Sequence, residues 1–240
     1  MNGSLLFSCI GACALAMSVT LLGQGRLDPA KLLKAPTDSW PTFNGDYSGR
    51  RFSPLTRITS ANVHQLSLAW MFRITGTGLG AIKSTPLQIN GVLYFTVPDH
   101  VWAVDGRSGR ELWHYQWQTT GGNHLGNRGV AVYEDSLYFE TPDCFLISLN
   151  LNDGKERWRR QICDIDRFYY ASVAPTVLKD RLIVGVSGDD FDIPGYIQFY
   201  NKGIEPLSFI VLDINIPGIF YNVCIGDQIA FAVNEESGTT

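Results

Sequence analysis

The 240-residue chain is 45% hydrophobic and 18% charged, the balance of a globular protein that can bury a core, which excludes disorder over most of its length. A net charge of -4 and an isoelectric point near 5.5 leave no basic footprint, so DNA and RNA are excluded as partners. The high aromatic and glycine content suits short strands joined by tight turns better than helices.

At the N-terminus, residues 4–22 form an uncharged apolar run, and Ala14-Leu15-Ala16 and Gly23-Gln24-Gly25 offer small residues to a signal peptidase. Residues 1–25 are expected to be an export signal or, since no Lys or Arg precedes the run, a retained membrane anchor. Cys9 and Cys13 belong to this segment. The remaining Cys144, Cys163 and Cys224 are odd in number and widely spaced, so they define neither a disulfide framework nor a metal site; Cys144 and Cys163 read as core thiols.

Residues 26–67 read as an extended lead-in rich in Pro, Gly, Asp, Arg and Ser, with one short helical signal at Ser60-Ala61-Asn62-Val63 that Thr59 or Ser60 would cap. Strand patterns bounded by turn residues then follow at 68–73, 85–89, 92–97, 101–105 and 111–117. A second set runs over 129–133, 136–140, 145–150 and 156–161, and a third begins at 172–177 and 181–186.

These sets are repeats. Asp105, Gly109 and Trp113 recur as Asn150, Gly154 and Trp158, a (D/N)-x-x-x-G-x-x-x-W pattern. The two Trp lie 45 positions apart and Trp70 precedes Trp113 by 43, the length of one four-stranded propeller blade. The Asp or Asn and the Gly turn the chain between the last two strands, and the Trp at a fixed offset wedges between sheets. No single blade can bury that ring alone, so the blades must stack. Residues 68–197 are therefore expected to be propeller blades. Over 198–240, Ser208-Phe209-Ile210-Val211-Leu212-Asp213 imitates the strand and its turn Asp, but no Trp follows, and this stretch reads as a divergent or truncated tail.

The lead-in Trp40-Pro41-Thr42-Phe43-Asn44-Gly45-Asp46, with Gly126-Asn127-Arg128-Gly129-Val130-Ala131 and Gly185-Val186-Ser187-Gly188-Asp189-Asp190, resembles the N-terminal part of pyrroloquinoline quinone (PQQ)-dependent alcohol dehydrogenases. The resemblance covers residues 40–197 and implies an all-β fold, an eight-bladed β-propeller with Trp-docking repeats, here incomplete at the C-terminus. It also implies PQQ held at the propeller axis beside calcium. Position by position, Arg128 matches the Arg whose planar fork contacts the quinone oxygens or carboxylates. Ser172 matches a hydroxyl residue that hydrogen-bonds the cofactor. Ser187 and Gly188, with Asp189, fall on the segment that approaches a PQQ carboxylate, and Asp190 matches the acidic calcium ligand, usually a Glu.

Two departures accompany the match. Where many members of that family carry adjacent cysteines that cover one quinone face, this chain has Gly122-Asn123, and Lys83 stands where they carry a Glu. Both imply a rebuilt pocket, with Asn123 or His124 near the ring.

The family reaction is hydride transfer from an alcohol to the quinone, with a carboxylate base taking the hydroxyl proton and calcium polarising the quinone oxygen. The base, an Asn of the calcium site and the Trp under the ring belong to later blades, and nothing in this sequence matches them. The expectation is the N-terminal portion of a periplasmic or secreted alcohol dehydrogenase that passes electrons to a cytochrome c and is inactive in isolation. The alternative is a non-catalytic propeller scaffold for protein contacts. Other chemistries fail on spacing: the Gly76 to Ala81 run is not a dinucleotide fingerprint, Asn201 stands where an EF-hand loop starting at Asp190 needs Glu, and the four His lack metal spacing.

Overall fold

The structure, a computed structural model, describes residues 26–75, 82–122, 126–188, 191 and 193–201, together with the backbone of strands at 206–212, 224–225 and 229–230. The expected export segment, 1–25, lies outside the described residues, as do Asp189 and Asp190. Among the described residues no helix is long and apolar enough to cross a membrane.

Three four-stranded antiparallel sheets follow one another along the chain, each a meander in sequence order. The first comprises β1 (Leu87–Ile89), β2 (Val92–Val97), β3 (His100–Asp105) and β4 (Glu111–Gln116). The second comprises β5 (Ala131–Tyr133), β6 (Ser136–Glu140), β7 (Phe145–Asn150) and β8 (Glu156–Gln161). The third comprises β9 (Thr176–Leu178), β10 (Arg181–Val186), β11 (Gly195–Asn201) and β12 (Pro206–Leu212). It continues past residue 197, where the sequence pattern suggested the blades ended. A separate hairpin joins β13 (Cys224–Ile225) to β14 (Ile229–Ala230).

Burial follows strand position. β3 and β7 are buried along nearly their whole length: β7 has a sheet on each face, and β3 has the second sheet on one face and Trp70, Phe72 and Ile74 on the other, whereas β4 is mostly exposed as an outer strand is. One apolar cluster joins the first two sheets through Leu87, Tyr94, Val101, Leu137 and Leu149. A second joins the last two through Tyr138, Leu146, Leu182 and Val184.

The repeated motif does what its residues predict. Asp105 Oδ1 accepts from the N–H groups of Arg107 and Ser108, and Gly109 N donates to Asp105 O at 2.8 Å. In the next blade Asn150 Oδ1 accepts from Asn152 N, and Gly154 N donates to Asn150 O at 2.9 Å. Trp70 and Trp113 each dock on the glycine of the following turn. A Cβ on Gly109 would lie 2.6 Å from the Trp70 ring, and one on Gly154 would lie 2.6 Å from the Trp113 ring. Both glycines also have left-handed φ, 71° and 68°, so no other residue satisfies both demands. The indole N–H groups donate to Gly106 O and Leu151 O, each at 3.1 Å.

Residues 68–73 differ from expectation: they form no strand. Yet Trp70 docks on the first sheet as Trp113 docks on the second, so this stretch occupies the place of an outer strand belonging to a preceding blade. Among the described residues no strand pairs with it, so its backbone registers in no described sheet. The short helical signal appears one step later than expected, as a 3-10 turn at Val63–Gln65, with Asn62 rather than Thr59 or Ser60 at its N-cap.

Cys144 and Cys163 are not free core thiols. They form a disulfide with a Cα–Cα distance of 5.0 Å. The β7/β8 hairpin brings them together: Phe145 pairs with Gln161, and Ile162 N donates to Cys144 O at 2.8 Å just beyond that pair.

Candidate functional site

In each sheet the turn between the second and third strands and the connection to the next sheet emerge at the same end. Among the described residues, that end gathers 117–122, 126–130, 141–144, 162–175, 187–188, 191 and 193–194. The innermost strands β1, β5 and β9 converge there, and the start of each is fixed to the next by the backbone: Thr85 N donates to Arg128 O at 3.3 Å and Arg128 N to Ser172 O at 3.0 Å.

This geometry brings Arg128 and Ser172 together. Arg128 Nη1 donates to Ser172 Oγ at 2.7 Å. The acceptor hydroxyl keeps its own proton, which can be offered to a ligand. Ser172 is buried and Arg128 is exposed, so the guanidinium is held at one nitrogen while its other donors face outward. Ser187 is anchored beside them by a two-way backbone bridge with Tyr170, both bonds 2.9 Å. Gly188 follows it and accepts at its carbonyl from Phe191 N and Ile193 N.

Arg128 also lines a cavity of about 340 Å³ between the inner strands of all three sheets and the lead-in, with Thr85, Leu87, Val130, Thr176 and Tyr47 among its walls. The lead-in closes one side of it: Trp40 pairs with Gln88 of β1, and the Tyr47 hydroxyl donates to Val177 O of β9. Burial pushes the Tyr47 phenol up to about 12, so it stays protonated as a donor. Lys83 lays its aliphatic stem across Gly126, two residues before Arg128.

Three buried polar residues beneath this end had no place in the sequence reading. Asn127 is a knot between sheets: its Oδ1 accepts from Thr96 Oγ1 at 2.6 Å and Gly129 N at 2.8 Å, and its Nδ2 donates to Glu140 O at 2.7 Å. Asp143 Oδ1 accepts from Trp117 Nε1 at 2.8 Å and Thr141 Oγ1 at 2.6 Å, while Oδ2 accepts from Thr120 N at 3.0 Å. Glu140 is fully buried, and its carboxyl faces the N–H groups of Val173 and Gly185 without closing a well-formed hydrogen bond to either. Burial pushes its pKa well above the usual carboxylate range, which favours the protonated form. The signal available for these residues was their type: Asn beside Arg128, and Glu-Thr-Pro-Asp closing an otherwise apolar strand.

Among the described residues no group of three or more His, Cys, Asp or Glu side chains is placed to hold a metal. Arg128 lines the cavity and bonds the buried Ser172 hydroxyl, and a guanidinium paired with a hydroxyl is chemistry that suits a ligand bearing carboxylate groups.

Comparison with known proteins agrees with the propeller fold. Residues 40–192 match a family model described as PQQ, the glucose/ethanol/alcohol dehydrogenase beta-propeller domain. The chain is 34% identical over 189 residues to a 1-butanol dehydrogenase (cytochrome c) of Thauera butanivorans, covering 75% of this chain and 27% of that relative. It is 32% identical over 214 residues to a lanthanide-dependent methanol dehydrogenase of Methylacidiphilum fumariolicum, covering 83% and 33%. The solved structure of quinohemoprotein alcohol dehydrogenase ADHIIG from Pseudomonas putida HK5 superposes with a TM-score of 0.71 at 29% identity, covering 78% of this chain and 28% of that one. The chain thus spans about a quarter to a third of the length of the curated relatives it matches.

Proposed function

Because the chain belongs to the PQQ β-propeller family of glucose, ethanol and alcohol dehydrogenases, we propose that its three blades form the N-terminal part of the cofactor seat of a quinoprotein alcohol dehydrogenase. The observation that carries this reading is the Arg128 Nη1–Ser172 Oγ contact of 2.7 Å, made by an Arg that lines the cavity between the inner strands.

In this reading Arg128 binds an oxygen pair of PQQ through its free N–H groups, and Ser172, oriented by Arg128, donates its hydroxyl proton to the same ligand. Ser187 and the Gly188 backbone, with Asp189, receive a PQQ carboxylate. Asp190 supplies oxygen to a cation, calcium in the first instance; a lanthanide is the second candidate, since one relative is a lanthanide-dependent enzyme. Bound PQQ would supply an electrophilic carbonyl for the oxidation of an alcohol, and a cation held by Asp190 would supply Lewis acidity. The residues of this chain bind and orient that group; none is assigned as the base that takes the alcohol proton. A cytochrome c is the electron acceptor this reading would assign, since the name of the Thauera butanivorans relative pairs that enzyme with cytochrome c.

The Cys144–Cys163 disulfide supports export to an oxidising compartment, periplasmic or extracellular, with residues 1–25 as the signal or anchor. The test is a dye-linked assay of the purified chain with PQQ, calcium and primary alcohols, run beside a PQQ absorbance titration. Saturable quinone binding with no alcohol-dependent dye reduction is expected. Failure to bind PQQ by a folded chain would leave the scaffold alternative.

A further inference from the structure

The turn at residues 141–144 joins the two connections that carry the cofactor-facing groups. On one side it is sealed to residues 117–122. Asp143 holds Trp117 and Thr120 through both carboxylate oxygens, and a Cβ on Gly122 would lie 2.1 Å from Pro142 O. Such an approach to a backbone oxygen admits no side chain at position 122. A cysteine there, as the family resemblance would have it, cannot be accommodated while the turn sits where it does. The adjacent-cysteine cover of the quinone is therefore incompatible with this arrangement, and Gly122 is the residue the turn requires.

On its other side the same turn is bonded to residues 162–175. Cys144 is joined to Cys163, its carbonyl accepts from Ile162 N at 2.8 Å, and its Sγ lies 3.6 Å from Tyr169 O. The next residue, Tyr170, makes the two-way bridge to Ser187, and two residues further on Ser172 meets Arg128 through both backbone and side chain. The path from the disulfide to the Arg128–Ser172 contact therefore runs through one short connection whose backbone is fixed at each end. Both cysteines are buried, so the bond is built into the packing of this end of the propeller.

We propose that the Cys144–Cys163 disulfide is a positioning element of the quinone seat: it fixes the Ser172 connection relative to the Arg128 connection, so that PQQ affinity depends on its being closed. The inference rests on the quinone reading above. It assigns to a structural cross-link between turn and connection the role of shaping the seat, in a chain that lacks the adjacent-cysteine cover.

The test uses the full chain in calcium-containing buffer. PQQ titrations are run on the oxidised protein, on protein reduced under native conditions with a trialkylphosphine, and on the Cys144→Ser/Cys163→Ser double variant. The phosphine takes an oxygen atom from water as the two sulfurs take its two hydrogens, and after its removal oxidised glutathione closes the bond again, its own disulfide taking up the two hydrogens as two thiols. The expected result is a folded protein by circular dichroism whose PQQ Kd rises at least ten-fold when the bond is open and recovers on reoxidation. Arg128→Ala is then added in both backgrounds. A positioning role predicts that it weakens binding much less when the disulfide is open, because Arg128 no longer shares a fixed geometry with Ser172; a staple that only stabilises the fold leaves the Arg128→Ala effect unchanged. Should the double variant fail to fold, the reduced native protein supplies the same comparison. Equal affinity within two-fold in the open and closed forms, with an unchanged Arg128→Ala effect, overturns the proposal while leaving quinone binding intact. Absence of PQQ binding by the oxidised protein overturns the quinone reading and this inference with it.

Discussion

The Trp113 indole rests on the backbone of Gly154 and donates from Nε1 to Leu151 O, so the outer strand of one blade is locked to the turn of the next. Both halves of this contact are testable. Trp113→Ala removes a nearly fully buried ring and is expected to cost about 3–5 kcal/mol. Gly154→Ala forces a methyl into the ring from a left-handed backbone and is expected to cost more than about 1 kcal/mol. Urea unfolding followed by tryptophan fluorescence measures both, and a Gly154→Ala variant as stable as the parent would contradict the docking account.

Arg128 and Ser172 should separate binding from folding. Arg128 is exposed, so Arg128→Ala should leave the thermal midpoint nearly unchanged while weakening PQQ by roughly ten- to a hundred-fold, the loss of a charge-assisted hydrogen bond or two. Arg128→Lys should recover little, since an ammonium lacks the planar fork. Fluorescence titration with PQQ reads both variants.

Glu140 gives stability a pH dependence of a particular sign. Its folded carboxyl holds its proton well above the ordinary range because of burial, whereas the unfolded chain releases it near the usual Glu value. The folded state thus binds more protons, and Glu140 lowers stability as pH rises above that value, until the folded group also ionises. Glu140→Gln removes this penalty. The variant should match the parent near pH 4 and exceed it at pH 7, by on the order of 1–3 kcal/mol. Denaturant midpoints at the two pH values decide the matter; an equal difference at both would remove the buried carboxyl as its cause.

Asp143 should be among the least replaceable polar residues at this end. It is almost wholly buried and accepts from Trp117, Thr120 and Thr141. Asp143→Ala leaves those donors unpaired in the interior and is expected to cost about 2–4 kcal/mol. Asp143→Asn should retain part of this, because one amide oxygen still accepts while the amide nitrogen faces a donor. Thermal unfolding ranks the three proteins.

Much of the fold was legible in the sequence because its signals are local. Strands 92–97, 136–140, 145–150, 156–161 and 181–186 stand where turn residues bound them, and the Trp-docking turn was visible as a spacing. Residues 68–73 were read as a strand because local pattern cannot say whether pairing partners are present. The third blade was cut short because β11 and β12 carry no Gly-x-x-x-Trp signature, although they complete the sheet. The disulfide was missed by counting three cysteines instead of placing them. Cys144 sits one residue before β7 and Cys163 two after β8, positions that a hairpin brings together.

The site divided differently. Arg128 and Ser172 came from resemblance, and the structure joins them; Ser187 and Gly188 fall alongside, while Asp189 and Asp190 lie outside the described residues. Asn127, Glu140 and Asp143 escaped notice because a polar residue at a strand end reads as a solvated turn. Only the stacking of the next sheet, which no local window contains, makes them interior.

The most direct measurement is calorimetric titration of the purified chain with PQQ, with and without calcium, repeated on Arg128→Ala and Asp190→Ala. The account predicts saturable, calcium-dependent binding that both substitutions abolish or weaken at least ten-fold. Absence of heat from a chain shown to be folded, or binding indifferent to calcium and to Arg128, would contradict a cofactor seat built on these three blades.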